Sequence, residues 1–324
     1  MPKIIEFELD QLSSDNPAMQ RCLLLAREAA KSNLPILLLG ESGTGKTLLA
    51  QAIHNSSLRD EESFISFNAS AMSETLLESQ LFGHEKGAFT GATQSMKGKF
   101  ESADSGTLFF DEIADMSLNA QAKVLRAIEY GEFERLGSEQ MCFADVRIIS
   151  ATNRSLKRMM ADGIFREDLY HRLNGITLLI PPLRKRPEDL PVLIAMEIKN
   201  CSMEADKDIQ SIEPEAYQKL LSYKWPGNLR ELHRVIQTAV LFTNSELIKN
   251  DTVVFDDFED EETYDGDLES SELSENESLE DDFNLERAVK RHVLATMEHF
   301  NSHKSKTALA LGISRATLDR KLNK

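Results

Sequence analysis

The residues Gly40–Thr47 read GESGTGKT, a spacing suited to holding phosphate. Gly40, Gly43 and Gly45 let the backbone N–H groups around Glu41, Ser42 and Thr44 turn inward on anionic oxygens. A helix starting behind them adds partial positive charge. Lys46 is placed to neutralise β- and γ-phosphates, and the Thr47 hydroxyl to ligate Mg2+. Phosphoryl chemistry also needs carboxylates, and GTLFFDE supplies them: the apolar Leu108–Phe110 run delivers Asp111 and Glu112 to a strand end. Asp111 suits the metal shell and Glu112 suits polarisation of an attacking water. DVRIISATN likewise ends in Thr152 and Asn153, neutral hydrogen-bonding groups that also serve as ordinary strand caps. Arg166 and Arg172 in FREDLYHRL, and Arg230 in WPGNLREL, offer guanidinium groups for charge developing on a γ-phosphate. Spacing alone leaves open whether they act within one chain or across an interface.

A second motif does no chemistry of its own. In LFGHEKGAFTGA, Gly87 and Gly91 bracket Phe89, with Ala88, Thr90 and Ala92 between and beside them. The segment is too glycine-rich for a stable helix or strand, so an apolar ring stands in a flexible loop. Two readings are available for it, a partner contact and an aromatic that anchors a turn.

The elements that must carry these residues follow from periodicity. PILLLG, SFISFN, GTLFFDE and DVRIISATN read as buried strands, alternating with helical patterns such as KTLLAQAIHNSS and NAQAKVLRAIEYGEF. That alternation implies a parallel sheet covered on both faces, with ligands at the C-terminal strand ends. After PPLRKRP the strand signals fade, and Pro191 to Phe242 reads as a small helical domain broken at WPGN.

Charge is segregated along the 324 residues. Of the net −17, −15 comes from the stretch Asp256 to Asp282, which has no Lys or Arg, so the remainder is only −2. This stretch is expected to be disordered, either a spacer or a competitor for the basic segment beside it. From Phe283 to Lys324 there are nine Lys and Arg against three Asp and Glu. There NLERAVKRHVLATMEHF and KSKTALALG are helical, and SRATLDRKL opens after Gly312 with Ser314 as its N-cap. Helix, glycine turn and basic helix form a helix-turn-helix, with Arg315, Thr317, Arg320 and Lys321 facing double-stranded DNA. A segment of this size is expected to be stabilised by dimerisation. Cys22, Cys142 and Cys201 are far apart and form no CxxC pair, which suggests neither a zinc site nor a disulfide. The N-terminus is not a signal peptide, and no apolar run approaches a membrane span, so a cytoplasmic location is expected.

Together these motifs resemble the sigma-54-dependent transcription activators, bacterial enhancer-binding proteins of the AAA+ ATPase class. ESQLFGHEKGAFTGA, GTLFFDEIADM, DVRIISATNR, FREDLYHRLN, PPLRKRPEDLP and WPGNLREL occur in the family's order. The resemblance covers Ser13 to Phe242 and resumes at Asn284 with a Fis-type helix-turn-helix. It implies an α/β AAA+ ATPase subdomain over 1–180, a helical lid over 181–248, an acidic linker over 249–282 and an all-α DNA-binding domain over 283–324. It also implies a hexameric ring with ATP and Mg2+ between subunits. Arg166 and Arg172 become fingers reaching the neighbour's nucleotide, Arg230 the second sensor, and Thr152 with Asn153 the first. Asn68 in SFNAS matches an asparagine that holds Glu112 until the ring is engaged. The loop Gly87–Ala92 would contact sigma-54, so that ATP hydrolysis converts a closed RNA polymerase holoenzyme complex into an open one.

This chain departs from the family pattern in two ways. Thr47 stands where relatives commonly carry an acid, which restores the general phosphate-loop pattern. The phosphate loop begins at Gly40, so no N-terminal receiver or ligand-sensing domain is expected, and control falls to a separate regulatory protein, to expression level or to the linker. A DNA-binding regulator that uses the fold for assembly alone is the competing reading, and intact Lys46, Asp111, Glu112, Arg166 and Arg172 argue against it. A metabolic kinase would leave the basic C-terminal segment without a role.

Overall fold

A computed structural model of the chain describes residues 7–70, 72–255 and Lys304. Contacts group the chain into two compact units, Met1–Asp257 and Phe258–Lys324. The acidic stretch from Asp256 and the residues expected to face DNA, Ser314, Arg315, Thr317, Arg320 and Lys321, lie outside the described residues.

The side chain of Asn16 accepts from the N–H groups of Ala18 and Met19, and Pro17 pre-sets the first turn of α1 (Pro17–Ala30). β1 (Ile36–Leu39) passes through Gly45, at φ 100°, into α2 (Lys46–Asn55). β2 (Phe64–Asn68) and α3 (Glu74–Phe82) follow. Then come the short antiparallel pair β3 (Gly83–His84) and β4 (Met96–Lys97) and the single turn α4 (Lys99–Ser102). β5 (Thr107–Asp111) leads to α5 (Leu118–Tyr130), capped by Ser117. The helical pattern expected to run through Phe133 stops earlier, because Gly131 sits in the left-handed region at φ 71°. Glu132–Glu134 instead become β6, paired with β7 (Met141–Phe143). β8 (Arg147–Thr152), α6 (Leu156–Ala161), α7 (Glu167–Leu173) and β9 (Ile176–Leu179) complete the α/β part.

The main sheet runs in the order β2-β5-β8-β1-β9, with every pairing parallel. Its alternating side chains enter two different cores. Leu37, Phe67, Leu108, Phe110 and Ile148 pack with α3, α5 and α7 on one face. Ile36, Leu38, Phe109, Ile149 and Leu178 pack with α1 and α2 on the other. Burial on both faces explains why β1, β5 and β8 read as unbroken apolar runs. The fifth strand, β9, was not among the four expected; it lies at the edge and alternates exposed Thr177 and Leu179 with buried Leu178.

α8 (Leu190–Glu204), β10 (Ser211–Ile212), α9 (Pro214–Ser222), α10 (Asn228–Phe242) and β11 (Leu247–Ile248) form the lid. Its core centres on Trp225, which is fully buried and donates from Nε1 to the Leu220 carbonyl at 3.1 Å. Residues 249–255 were expected to open the linker, but they pack on the lid. Val253 is buried, and Phe255 stacks on Tyr223 with ring centroids 3.9 Å apart. Replacing Trp225 with Ala should destabilise the lid by about 3–5 kcal/mol, since the cavity cannot fully collapse. A urea titration followed by circular dichroism measures the loss; an unshifted transition would show that Trp225 is not the keystone.

Candidate nucleotide site and surface loop

Strand register assembles the site. Leu39 lies opposite Thr152, and Asn68 lies opposite Asp111, so four strands end along one edge of the sheet. The phosphate loop springs from that edge. Lys46, the first residue of α2, is buried, and its Nζ donates to the carbonyls of Gly40 (3.0 Å) and Glu41 (3.3 Å). The Glu112 carboxylate lies 3.4 Å from the same nitrogen. Its second oxygen accepts from the Asn153 N–H at 3.2 Å, so the residue is held between loop and sheet. Glu112 adopts φ 52°, a left-handed conformation that a non-glycine residue keeps only where its surroundings enforce it. Burial first, and then the Glu112 charge, raise the Asp111 pKa, while Lys46 and Arg230 pull it down.

The remaining predicted residues fall into three groups. Thr152 and Asn153 are at the edge; the Thr152 carbonyl accepts from Gly40 N–H, and its hydroxyl accepts from Arg154 N–H. Asn68 is beside Asp111, but its side chain accepts from Ser70 N–H at 2.7 Å, while the Glu112 carboxylate is engaged by Lys46 and Asn153. Arg166 and Arg172 are not brought to this site within the chain. Arg166 forms a two-pronged pair with Asp168, and Arg172 donates to the Ile128 carbonyl.

The lid closes over the phosphate loop through Arg230, singled out in WPGNLREL, and through neighbouring contacts that no motif announced. Arg230 donates to the Ser42 hydroxyl at 2.8 Å. Leu229 N–H donates to the Gly43 carbonyl at 2.9 Å, and Asn228 Nδ2 to the Ser42 carbonyl at 3.0 Å. A Cβ on Gly43, which sits at φ 77°, would lie 2.3 Å from the Gly227 carbonyl, so only glycine permits this approach. Arg184 grips Glu41 through both guanidinium ends at 2.6 and 2.5 Å, which lowers the Glu41 pKa, with Asn228 assisting. Arg186 is buried and reaches the Thr44 carbonyl. The signal in the sequence was PPLRKRP, whose arginines carry no local pattern that names their partner.

The glycine-bracketed loop stands on the β3–β4 pair. Gly87 at φ 86° and Gly91 at φ 107° have nothing near a would-be Cβ, so the requirement there is conformational. Gly87 N–H donates to the Ala92 carbonyl at 2.9 Å, and Ala92 N–H to the Phe89 carbonyl at 3.0 Å, folding the loop into a compact turn. The Phe89 ring is half-buried and meets His84 edge-on at 5.0 Å; His84 is itself buried and hydrogen-bonded to the Ser79 hydroxyl. Here the aromatic is seated on its base, with Thr90 and Gly91 exposed beside it.

Comparison with known proteins agrees with this architecture. Residues 12–179 match the sigma-54 interaction domain, 184–267 the AAA+ ATPase lid domain, and 285–324 the bacterial regulatory protein Fis family. The regulatory protein AtoC of Escherichia coli (strain K12) is 42% identical over 95% of this chain and 66% of its own length. The transcriptional regulatory protein ZraR of Klebsiella oxytoca is 40% identical over 96% of the chain and 68% of its own. The formate hydrogenlyase transcriptional activator of Salmonella typhimurium (strain SL1344) is 46% identical, yet the match spans only 35% of that protein. The crystal structure of NtrX from Brucella abortus in complex with ATP superposes with a TM-score of 0.68 at 31% identity, covering 97% of this chain and 68% of NtrX. Thus the phosphate loop, the paired acids, the closing lid and the basic C-terminal segment place the chain in the family of sigma-54-dependent transcriptional regulators, with an AAA+ fold and a Fis-type helix-turn-helix.

Proposed function

We propose that the chain hydrolyses ATP in a homo-oligomeric ring, a hexamer by family analogy, and uses the cycle to remodel sigma-54 RNA polymerase holoenzyme from closed to open complexes. The observation that carries this is the placement of Glu112 between Lys46 and Asn153 N–H at the edge of the sheet. Incoming phosphates compete for Lys46, which leaves the Gly40 and Glu41 carbonyls and frees the Glu112 carboxylate to accept a proton from water. The donors fit Mg2+: an exposed Thr47 hydroxyl on the first turn of α2, and a carboxylate, Asp111, whose charge burial and Glu112 disfavour. Bound there, the ion would neutralise charge on the phosphates. Arg230 exchanges Ser42 for the γ-phosphate, so the lid senses which nucleotide is present. Arg166 and Arg172 complete the site of the adjoining subunit, and Asn68 turns from Ser70 to restrain Glu112 before engagement.

Residues 1–180 are then the motor, 181–255 the lid with the segment packed on it, 256–282 the linker, and 283–324 the module that binds upstream double-stranded DNA in the cytoplasm. Regulation by a separate protein acting in trans fits the same scheme. Gly87–Ala92 is the part that touches sigma-54, with Phe89 leaving His84 as the glycines reconfigure. Phe89→Ala should keep ATP turnover near the parental rate and lower open-complex formation by more than about 10-fold, as loss of an aromatic anchor does. Transcription from a sigma-54 promoter in vitro, with and without ATP, tests the whole reading. Equal promoter opening without nucleotide would leave the assembly-only regulator as the correct one.

A further inference from the structure

The lid contains a cluster that the spacing of cysteines alone argued against. Glu197 and Cys201 are one turn apart on α8, so their side chains share a face. α10 packs against that face and brings His233 to it, one turn beyond Arg230. One donor atom from each of the three lies within 4.8 Å of the other two. The His233 Nδ1 to Glu197 Oε2 separation is 2.9 Å, and the buried Cys201 thiol has no hydrogen-bond partner among the described residues.

We propose that Glu197, Cys201 and His233 bind a zinc ion that staples α8 to α10. Thiolate, imidazole and carboxylate on a shared centre are the donor set of zinc rather than of the hard cations, with bonds of about 2.0–2.3 Å. Three protein ligands leave a fourth position for water. Cys22, also buried, has the cationic Arg186 beside it and joins no such group among the described residues. A bound ion displaces the thiol proton and replaces the His233–Glu197 hydrogen bond with two coordinate bonds. Because Asn228, Leu229 and Arg230 of α10 touch the phosphate loop, the staple fixes the helix that senses nucleotide. The site does not depend on what the motor remodels.

The test uses the full chain, stripped with a chelator and free of nucleotide. Titration with zinc against a chromophoric chelator should show one tight site per chain, and cobalt should give a thiolate charge-transfer band. Cys201→Ser should abolish that band and weaken zinc by more than the about 10–100-fold that losing an outer-shell partner brings. His233→Ala, at a half-exposed position, should weaken zinc as well, whereas Cys22→Ser should change neither signal. Zinc uptake that survives both Cys201→Ser and His233→Ala would place the ion elsewhere in the chain and overturn the proposal. A cobalt spectrum without sulfur character would do the same.

Discussion

Glu112→Gln should lower ATP turnover by about 10²–10⁴-fold, the range by which a positioned general base accelerates a reaction. Nucleotide should still bind, because Lys46 and the loop amides supply the phosphate contacts. The isosteric amide keeps the acceptor for Asn153 N–H, now 3.2 Å from a Glu112 oxygen, so the edge of the sheet need not rearrange. It removes the negative charge 3.4 Å from Lys46 Nζ, which leaves the ammonium freer for phosphate. The variant should therefore hold ATP at least as tightly as the parent. Steady-state phosphate release and equilibrium binding of a fluorescent nucleotide separate the two effects. Turnover within a few-fold of the parent would remove Glu112 as the base.

Arg166→Ala should cost more in the assembled ring, about 10³–10⁵-fold in turnover, the contribution of an arginine that meets transition-state charge. Within its own chain the guanidinium is occupied by Asp168, and that pair raises its pKa and lowers that of Asp168. The pair is solvent-exposed, so releasing the arginine to a neighbouring subunit costs little. Mixing supplies the decisive comparison. A Lys46→Ala chain binds no nucleotide but presents an intact Arg166, and an Arg166→Ala chain has the opposite defect. Combined, they should regain hydrolysis that neither shows alone. Mixed rings that stay inactive would place the arginine's role within its own subunit.

Phe89, Trp225 and the lid contacts show where legibility ends. The strands ending in Gly40, Asp111 and Thr152 were readable because burial on both faces demands apolar runs and the polar ends then stand out. The meeting of Lys46 with Glu112 at one end of the sheet was readable because each follows an apolar strand run. β9 was missed because four residues, two of them exposed at a sheet edge, leave almost no periodic signal. The helical pattern through Phe133 overran because Gly131 took the left-handed turn that ends α5. The seat of Phe89 on His84 was open from composition, since an apolar residue between glycines fits both a contact and an anchor.

Local order in the chain was enough to point to phosphate chemistry: glycines set backbone angles, and Lys46, Asp111 and Glu112 bring charges suited to phosphate and metal. Which distant groups meet those residues was settled by packing. Arg184 finds Glu41 across 143 positions, and Glu197, Cys201 and His233 converge only when α8 lies on α10. Short-range dihedral and hydrogen-bond preferences act within a turn or two, whereas burying the apolar faces of the lid selects one helix arrangement and, with it, every long-range polar partner.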